Sequence, residues 1–365
     1  MKKTTERTAN MTLFEPYTLG NVALTNRVVM SPMTRCRATN NIPNDLLALY
    51  YRQRASAGLI ITEGTSPSPE GLGYARIPGI FSDAQELGWS RVTAAVHAEG
   101  GRIFLQMMHT GRIGHPANLP PGARVLAPSA IRPSGQIYTD SEGMQDHPVP
   151  EEMSAEDIAR TIGEFADGAE RAVRAGFDGI ELHAANGYLL EQFLNPAANR
   201  RSDRYGATAE GRMRFVLEVA RAVCDRIGGR RVGIRVSPYG VFNNMGPFEG
   251  IDDFYAELSR ILSETGLVYI HVVDHSGMGA PPVSAEVKKR IRENFRGTYI
   301  LSGSYDRPRA EQDLANGLGD LVAFGRPFLA NPDLTEKLRQ NLPWKEADPA
   351  TFYTPGPAGY TELGP

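Results

Sequence analysis

Apolar residues along this chain fall into two alternating rhythms. Short runs rich in β-branched and aliphatic residues recur as RVVMSP (27–32), LIITEG (59–64), RIFLQMM (102–108), GIELH (179–183), VGIRVS (232–237), VYIHVV (268–273), YILSGS (299–304) and LVAFGR (321–326). Each closes in, or is directly followed by, small or polar residues and leads toward a longer stretch with the spacing of an amphipathic helix. Those stretches cover 44–57, 83–99, 155–175, 208–228, 251–265, 285–296, 306–317 and 332–340. Ser154, with Asp157 behind it, Thr208 and Ser284 stand where N-caps belong. Gly58, Gly100 and Gly176 follow the first three helices, where a left-handed cap favours glycine. Apolar strands alternating with helices predict a parallel sheet covered on its outer side, and eight repeats is the number that closes a (β/α)8 (TIM) barrel. A doubly wound open sheet would call for a glycine-rich turn after the first strand; here that strand runs into SPMTRCRATNN (31–41).

Two stretches depart from the repeat. Residues 109–153, rich in Pro and Gly, are too long for an ordinary βα loop and predict a capping insertion over the barrel mouth after the third strand. The tail 342–365 carries Trp344, Phe352, Tyr353 and Tyr360, which predicts that it folds back on the body. No linker separates a second unit, so 1–365 reads as one domain, a length that an α/β barrel with insertions accommodates.

Composition narrows the function classes. A formal charge of −3, from 39 basic and 42 acidic residues, offers no broad basic field for nucleic acid or an anionic membrane. Cys36 and Cys224 are too few for a disulfide framework and belong to no metal-binding pattern, so both read as packed thiols in a reducing compartment. The leader MKKTTERTANMTLF has no apolar run of signal length, and no stretch elsewhere approaches about 18 apolar residues. The expectation is a cytoplasmic protein without a membrane partner, monomeric or homodimeric.

In β/α barrels catalysis sits at the C-terminal ends of the strands. The loops after strands seven and eight commonly hold phosphate, and here they are SGS (302–304) and FGR (324–326). Gly303 and Gly325 permit close backbone approach, Ser304 lies beside them, and Arg326 adds a fork-shaped charge. Either glycine read alone serves equally as a plain turn. Arg235, inside an apolar strand, needs an anionic or accepting partner; a buried carboxylate would do, and so would the N1/O2 edge of a reduced flavin. Gln106 could read a pyrimidine edge through donor and acceptor together. The sharpest cluster is ELHAANGYLLEQFLNP (181–196). There His183 and Asn186 form a pair of donors for a substrate oxygen and Tyr188 a phenol for proton delivery. Taken singly, His183 also reads as a satisfied core histidine and Tyr188 as a packing aromatic.

The strings RVVMSPMTR (27–35), SAGLIITEGT (56–65), GYARIPGIFSD (73–83), QMMHTGR (106–112), ELHAANGYLLEQFLNP (181–196), RVSP (235–238), AFGRPFLANPDL (323–334) and PAGYTEL (357–363) resemble, in order, the successive motifs of the Old Yellow Enzyme family. The resemblance implies FMN as cofactor, NADPH or NADH as hydride donor, and an electron-poor alkene (an α,β-unsaturated carbonyl or nitro compound) as oxidant, with ping-pong kinetics. It implies that Thr34 bonds the flavin C4 carbonyl, with Pro32, Met33 and Ala57 in backbone or packing contact. Gln106 and Arg235 would hold the pyrimidine side, and Gly303, Ser304, Gly325 and Arg326 the phosphate. His183 and Asn186 match the donors to the substrate oxygen, Tyr188 the proton donor, and Tyr74 and Tyr353 aromatics of the pocket. Met108 stands where many members have Trp, which predicts a roomier pocket, and YTPGPAGY (353–360) has proline where glycine is usual.

Rival chemistries on the same fold fare less well. A Schiff-base aldolase needs a lysine at a strand end, whereas Lys2, Lys3, Lys288, Lys289, Lys337 and Lys345 fall in termini or outer helices. A glycosidase would draw on Glu63 and Glu181. A zinc site would draw on His109, His115, His183, His271 and His275, but no ligand spacing of that kind occurs, so no metal is expected. A binding protein that retains FMN without catalysis remains the reading from another class. GMGAPP (277–282) lacks the third glycine of a dinucleotide fingerprint, so no separate nicotinamide domain is expected.

Overall fold

All eight apolar runs become strands of one closed sheet in the computed structural model, which describes residues 12–364. They are β1 (Val28–Met30), β2 (Leu59–Ile61), β3 (Ile103–Met107), β4 (Gly179–Ala184), β5 (Val232–Val236), β6 (Tyr269–Val272), β7 (Thr298–Ser302) and β8 (Leu321–Phe324). Neighbours in sequence pair in parallel and β8 pairs with β1, which closes the barrel. The helices between and after them are α1 (Asp45–Arg52), α2 (Asp83–Ala98), α3 (Ala155–Arg174), α4 (Ala209–Ile227), α5 (Ile251–Glu264), α6 (Ala285–Asn294), α7 (Arg307–Ala315) and α8 (Leu334–Gln340). Each strand is buried on both faces, which explains runs without alternation. Of the leader, residues 1–11, with Lys2 and Lys3, lie outside the described residues, as does Pro365.

The expected caps form. Ser154 Oγ accepts the Asp157 N–H while the Asp157 carboxylate accepts the Ser154 N–H, and the hydroxyls of Thr208 and Ser284 accept from Gly211 and Val287. Gly100 and Gly176 take left-handed conformations, with φ of 76° and 93°. Gly58 does not: α1 ends at Arg52, short of the expected 57, and the chain descends to β2 through turns. Glycine is needed at 58 because a Cβ would fall 2.0 Å from the Asn26 carbonyl oxygen. There Asn26 Oδ1 accepts the N–H groups of both Gly58 and Val28, tying the entries of β1 and β2 together.

The barrel interior is apolar in its lower half. Val29, Leu59, Ile61, Phe104, Tyr269, Ile300 and Leu321 pack there with Leu19 and Leu24, which come from a hairpin (Tyr17–Leu19, Val22–Leu24) plugging the bottom. A Cβ at Gly233 would lie 2.1 Å from the Tyr269 ring, so glycine in β5 makes room for tyrosine in β6.

The insertion after β3 builds a hairpin (Gln136–Thr139, Gly143–Asp146) and a short parallel pair (Leu126–Ala127, Glu151–Glu152). The tail folds back, as its aromatics predicted. Tyr360 stacks on Tyr50 at 3.9 Å, and the buried guanidinium of Arg35 donates to the carbonyls of Phe352 and Gly359. Arg37 donates to those of Gly356 and Ala358. Among the described residues no helix is long and apolar enough to cross a membrane.

Candidate active site

Period-two alternation turns Glu181 and His183 of β4 to the inside, and parallel register sets Glu181 beside Gln106, His183 beside Arg235, and Arg235 beside His271. Polar groups thus occupy the upper interior. The Glu181 carboxylate accepts from Gln106 Nε2 at 2.8 Å and Tyr269 Oη at 3.1 Å, and His271 Nδ1 lies 2.9 Å from it. Its oxygens are therefore taken, and the buried carboxylate does not satisfy Arg235. The Arg235 side chain, only 6 % exposed, has no hydrogen bond or ion pair among the described residues, and its Nε is buried without a partner. Burial holds its pKa below the ordinary value, with Glu181 acting in opposition.

His183 is equally buried, and its Nδ1 lacks a partner. Burial, followed by the neighbouring Arg235, holds the imidazole well below its usual range, so it is neutral at pH 7. After β4 the chain makes two left-handed residues, Asn186 (φ 59°) and Gly187 (φ 75°). Tyr188 then leads into a short helix, Leu189–Leu194, that the hydrophobic pattern did not announce. Tyr188 Oη lies 3.1 Å from Tyr74 Oη, and its ring meets the edge of His183 at 5.0 Å. Burial pushes the Tyr188 phenol up to about 12, so it keeps its proton at neutral pH.

Two adjoining cavities open at this end, of about 490 and 700 Å3, sharing Pro32, Thr34, Tyr74, Asn186, Tyr188, Arg235 and Tyr353. Met33, Gly303, Ser304, Gly325 and Arg326 line the first. Gln106 and His183 line the second, whose outer wall is the 136–146 hairpin and the tail at Pro349–Pro355. A Cβ on Gly325 would meet nothing nearer than Met33 Sδ at 3.7 Å, so a space stands open beside that backbone. Arg326 is exposed and makes no ion pair among the described residues.

Two expected site residues line neither cavity. Ala57 is buried in the outer core. Met108 packs with Cys36, Leu72 and Ile77, its thioether directed at Gly64, where a Cβ would lie 2.5 Å from Sδ. Met108 therefore lines neither cavity itself and packs beneath Tyr74 and Tyr188, which line both. Cys36 touches the second cavity, its thiol pushed up to about 12 by burial.

The pair proposed for a glycosidase is not poised for it, since Glu63 and Glu181 are at most 1 % exposed and line neither cavity. Lys288 reaches Asp274, a cavity-lining residue, as an ion pair at 2.5 Å. No group of three metal-ligating side chains occurs among the described residues. His275 stands just past the sixth strand in the sequence without an assigned flavin or substrate role, and its Nε2 lies 2.7 Å from Asn186 Oδ1 where it lines the first cavity. Its position just beyond the β6 run was the available signal.

FMN carries a phosphate at one end and, at the other, a pyrimidine edge that gains negative charge on reduction. The unpartnered Arg235 and the Gln106 amide suit the second, and the open space at Gly325 with Arg326 suits the first. These residues fit the group. Residues 12–345 match the NADH:flavin oxidoreductase / NADH oxidase family. The chain is 38 % identical to 12-oxophytodienoate reductase 1 of Oryza sativa subsp. japonica, covering 97 % of this chain and 93 % of the other. It is 39 % identical to a probable flavin mononucleotide-dependent alkene reductase of Leishmania infantum, covering 96 % of each. Morphinone reductase in complex with tetrahydroNAD superposes with a TM-score of 0.92 at 41 % identity over 97 % of both chains. With the barrel, the site and these likenesses in agreement, the chain belongs to the NADH:flavin oxidoreductase / NADH oxidase family, that of the Old Yellow Enzymes, and is an oxidoreductase that uses FMN.

Proposed function

We propose that this enzyme reduces the activated C=C bond of α,β-unsaturated carbonyl or nitro compounds at the expense of NADPH or NADH, both substrates using the same cavity in turn. The observation that carries the reading is the grouping of a protonated phenol, Tyr188, with His183 and Asn186 on one cavity wall that also includes Arg235. Bound FMN supplies hydride transfer. His183 and the Asn186 amide donate to the substrate oxygen and stabilise the negative charge that develops there. Tyr188 delivers the proton to the α-carbon, its Oη held by Tyr74. Tyr74 and Tyr353 close the pocket around the alkene.

On the cofactor side, Arg235 and Gln106 hold the pyrimidine edge, and Thr34 bonds the flavin C4 carbonyl beside Pro32 and Met33. Gly303, Ser304, Gly325 and Arg326 take the phosphate, while Ala57 acts only by packing. The whole chain acts as one domain. The free thiols Cys36 and Cys224 suit a cytoplasmic location, and a monomer or homodimer is the proposed assembly.

The deciding experiment is the absorbance spectrum of the purified protein, followed by anaerobic NADPH and then 2-cyclohexenone. Flavin bands that bleach with NADPH and return with the enone support the proposal. A colourless protein that cannot be reconstituted with FMN refutes it, and bands that NADPH cannot bleach favour a non-catalytic flavin carrier.

A further inference from the structure

The loop that carries Asn186 is held by side chains rather than by secondary structure. Asn186 takes the left-handed conformation, which asparagine enters more readily than other non-glycine residues, and side chains around it fix the backbone in that state. Its N–H donates to Ser237 Oγ at 2.9 Å and its carbonyl accepts from Asn243 Nδ2 at 2.7 Å. At Gly187 the N–H donates to Glu191 Oε2 at 2.6 Å and the carbonyl accepts from Gln192 Nε2 at 2.7 Å. Ser237 Oγ in turn donates to Glu191 Oε1 at 2.9 Å. Glu191 is 1 % exposed and has no ion pair among the described residues; both of its hydrogen bonds serve this loop. A buried carboxyl without a cation is costly, and here its bonding is spent on the backbone that presents Asn186.

We propose that Glu191 is a positioning residue: through Ser237 and the Gly187 N–H it fixes the left-handed backbone at Asn186 and so aims the Asn186 amide at the substrate oxygen. The inference rests on the reading of Asn186 as a substrate-oxygen donor. One carboxyl oxygen locks Gly187. The other orients the Ser237 hydroxyl, which leaves a lone pair for the Asn186 N–H. Burial pushes the Glu191 carboxyl up to about 8. In its neutral form one oxygen still accepts from Gly187, while its O–H and the Ser237 hydroxyl exchange donor and acceptor roles. The link survives either protonation state, and for the same reason a glutamine preserves it.

The test uses the FMN-loaded enzyme with NADPH and 2-cyclohexenone, comparing Asn186→Ala, Ser237→Ala, Glu191→Leu, Glu191→Gln and the double variant Glu191→Leu/Ser237→Ala. Loss of one oriented hydrogen bond corresponds to about a tenfold change. Ser237→Ala and Glu191→Leu should therefore each raise KM for 2-cyclohexenone about tenfold with FMN content retained. Glu191→Gln should stay near the parent, and the double variant should be no worse than the poorer single one. Additive single effects, or a Glu191→Gln as impaired as Glu191→Leu, would overturn the relay. Should Glu191→Leu fail to fold, Ser237→Ala decides: parent-like kinetics there, with Asn186→Ala impaired, also overturn it. Parent-like kinetics in Asn186→Ala would instead remove the underlying reading of Asn186.

Discussion

The two halves of the barrel interior follow opposite rules. Below, Phe104, Tyr269, Ile61 and Ile300 pack against a plug from the amino-terminal hairpin, and the one polar tip among them, Tyr269 Oη, bonds Glu181. Above, Arg235 Nε and His183 Nδ1 are buried without partners, although the strand that carries His183, next to that of Arg235, also carries Glu181, a carboxylate whose oxygens are already committed. An interior built only for stability would not leave a guanidinium unpaired, because the desolvation of its charge is uncompensated. The lower half stabilises the fold, and the upper half keeps polar capacity for a ligand.

The largest expected effect falls on the upper half and on one half-reaction only. Tyr188→Phe removes the proton donor but no donor to the substrate oxygen, so 2-cyclohexenone reduction should fall about 10²–10⁴-fold. Flavin bleaching by NADPH should keep its rate, as followed by stopped-flow absorbance. Equal slowing of both half-reactions would mean that Tyr188 only shapes the pocket. In the lower half, Phe104→Ala should cost about 3–5 kcal/mol in thermal or urea unfolding while the FMN-loaded enzyme retains its kcat/KM. A large kinetic defect there would break the division.

Arg235→Met sharpens the contrast further. A hydrogen bond to a charged group is worth about 1.5–3 kcal/mol, so FMN should bind roughly 10–100-fold more weakly. Stripped of flavin, however, the variant should unfold at a temperature no lower than the parent, because a buried unpaired charge has been replaced by an apolar side chain. A less stable apoprotein would show that Arg235 supports the fold after all.

The same contrast explains what was legible in the sequence. Strands buried on both faces leave continuous apolar runs, and the residues closing those runs stand at the mouth, so Arg235, His183 and Gly303 could be read by position. The plug was not readable, since strands of three residues at 17–24 set no period. Gly58 was misread because the reason for it, the Asn26 carbonyl, lies far away in sequence. Met108 continues the inward alternation of Phe104 and Gln106 on paper, and the pairing to the β2 side does run on through Thr65 and Met107, but the Met108 side chain is taken up by a separate cluster with Cys36, Leu72 and Ile77. Met108→Trp should accordingly overpack against Gly64, Leu72 and Ile77 and cost about 1–3 kcal/mol in thermal unfolding. A stable variant whose selectivity among bulky enones has changed would return Met108 to the pocket.

The smallest effect tests whether buried polar groups near the mouth are a burden on stability. Burial pushes the Glu63 carboxyl up to about 7, with the Arg35 N–H opposing, and its Oε1 is buried without a partner. A carboxyl whose folded pKa is raised favours folding most below its unfolded value, near 4.5, and that contribution is lost as pH rises through about 7. Glu63→Gln keeps the shape and an acceptor for the Arg35 N–H but cannot ionise. Relative to the parent it should therefore gain about 1 kcal/mol of unfolding free energy between pH 6 and pH 8, measured by urea unfolding at each pH. A difference that stays constant across that window would show that Glu63 ionises in the fold as readily as in water, and that the tail and Arg35 stabilise its charge where the cavity's own Arg235 is left without a partner.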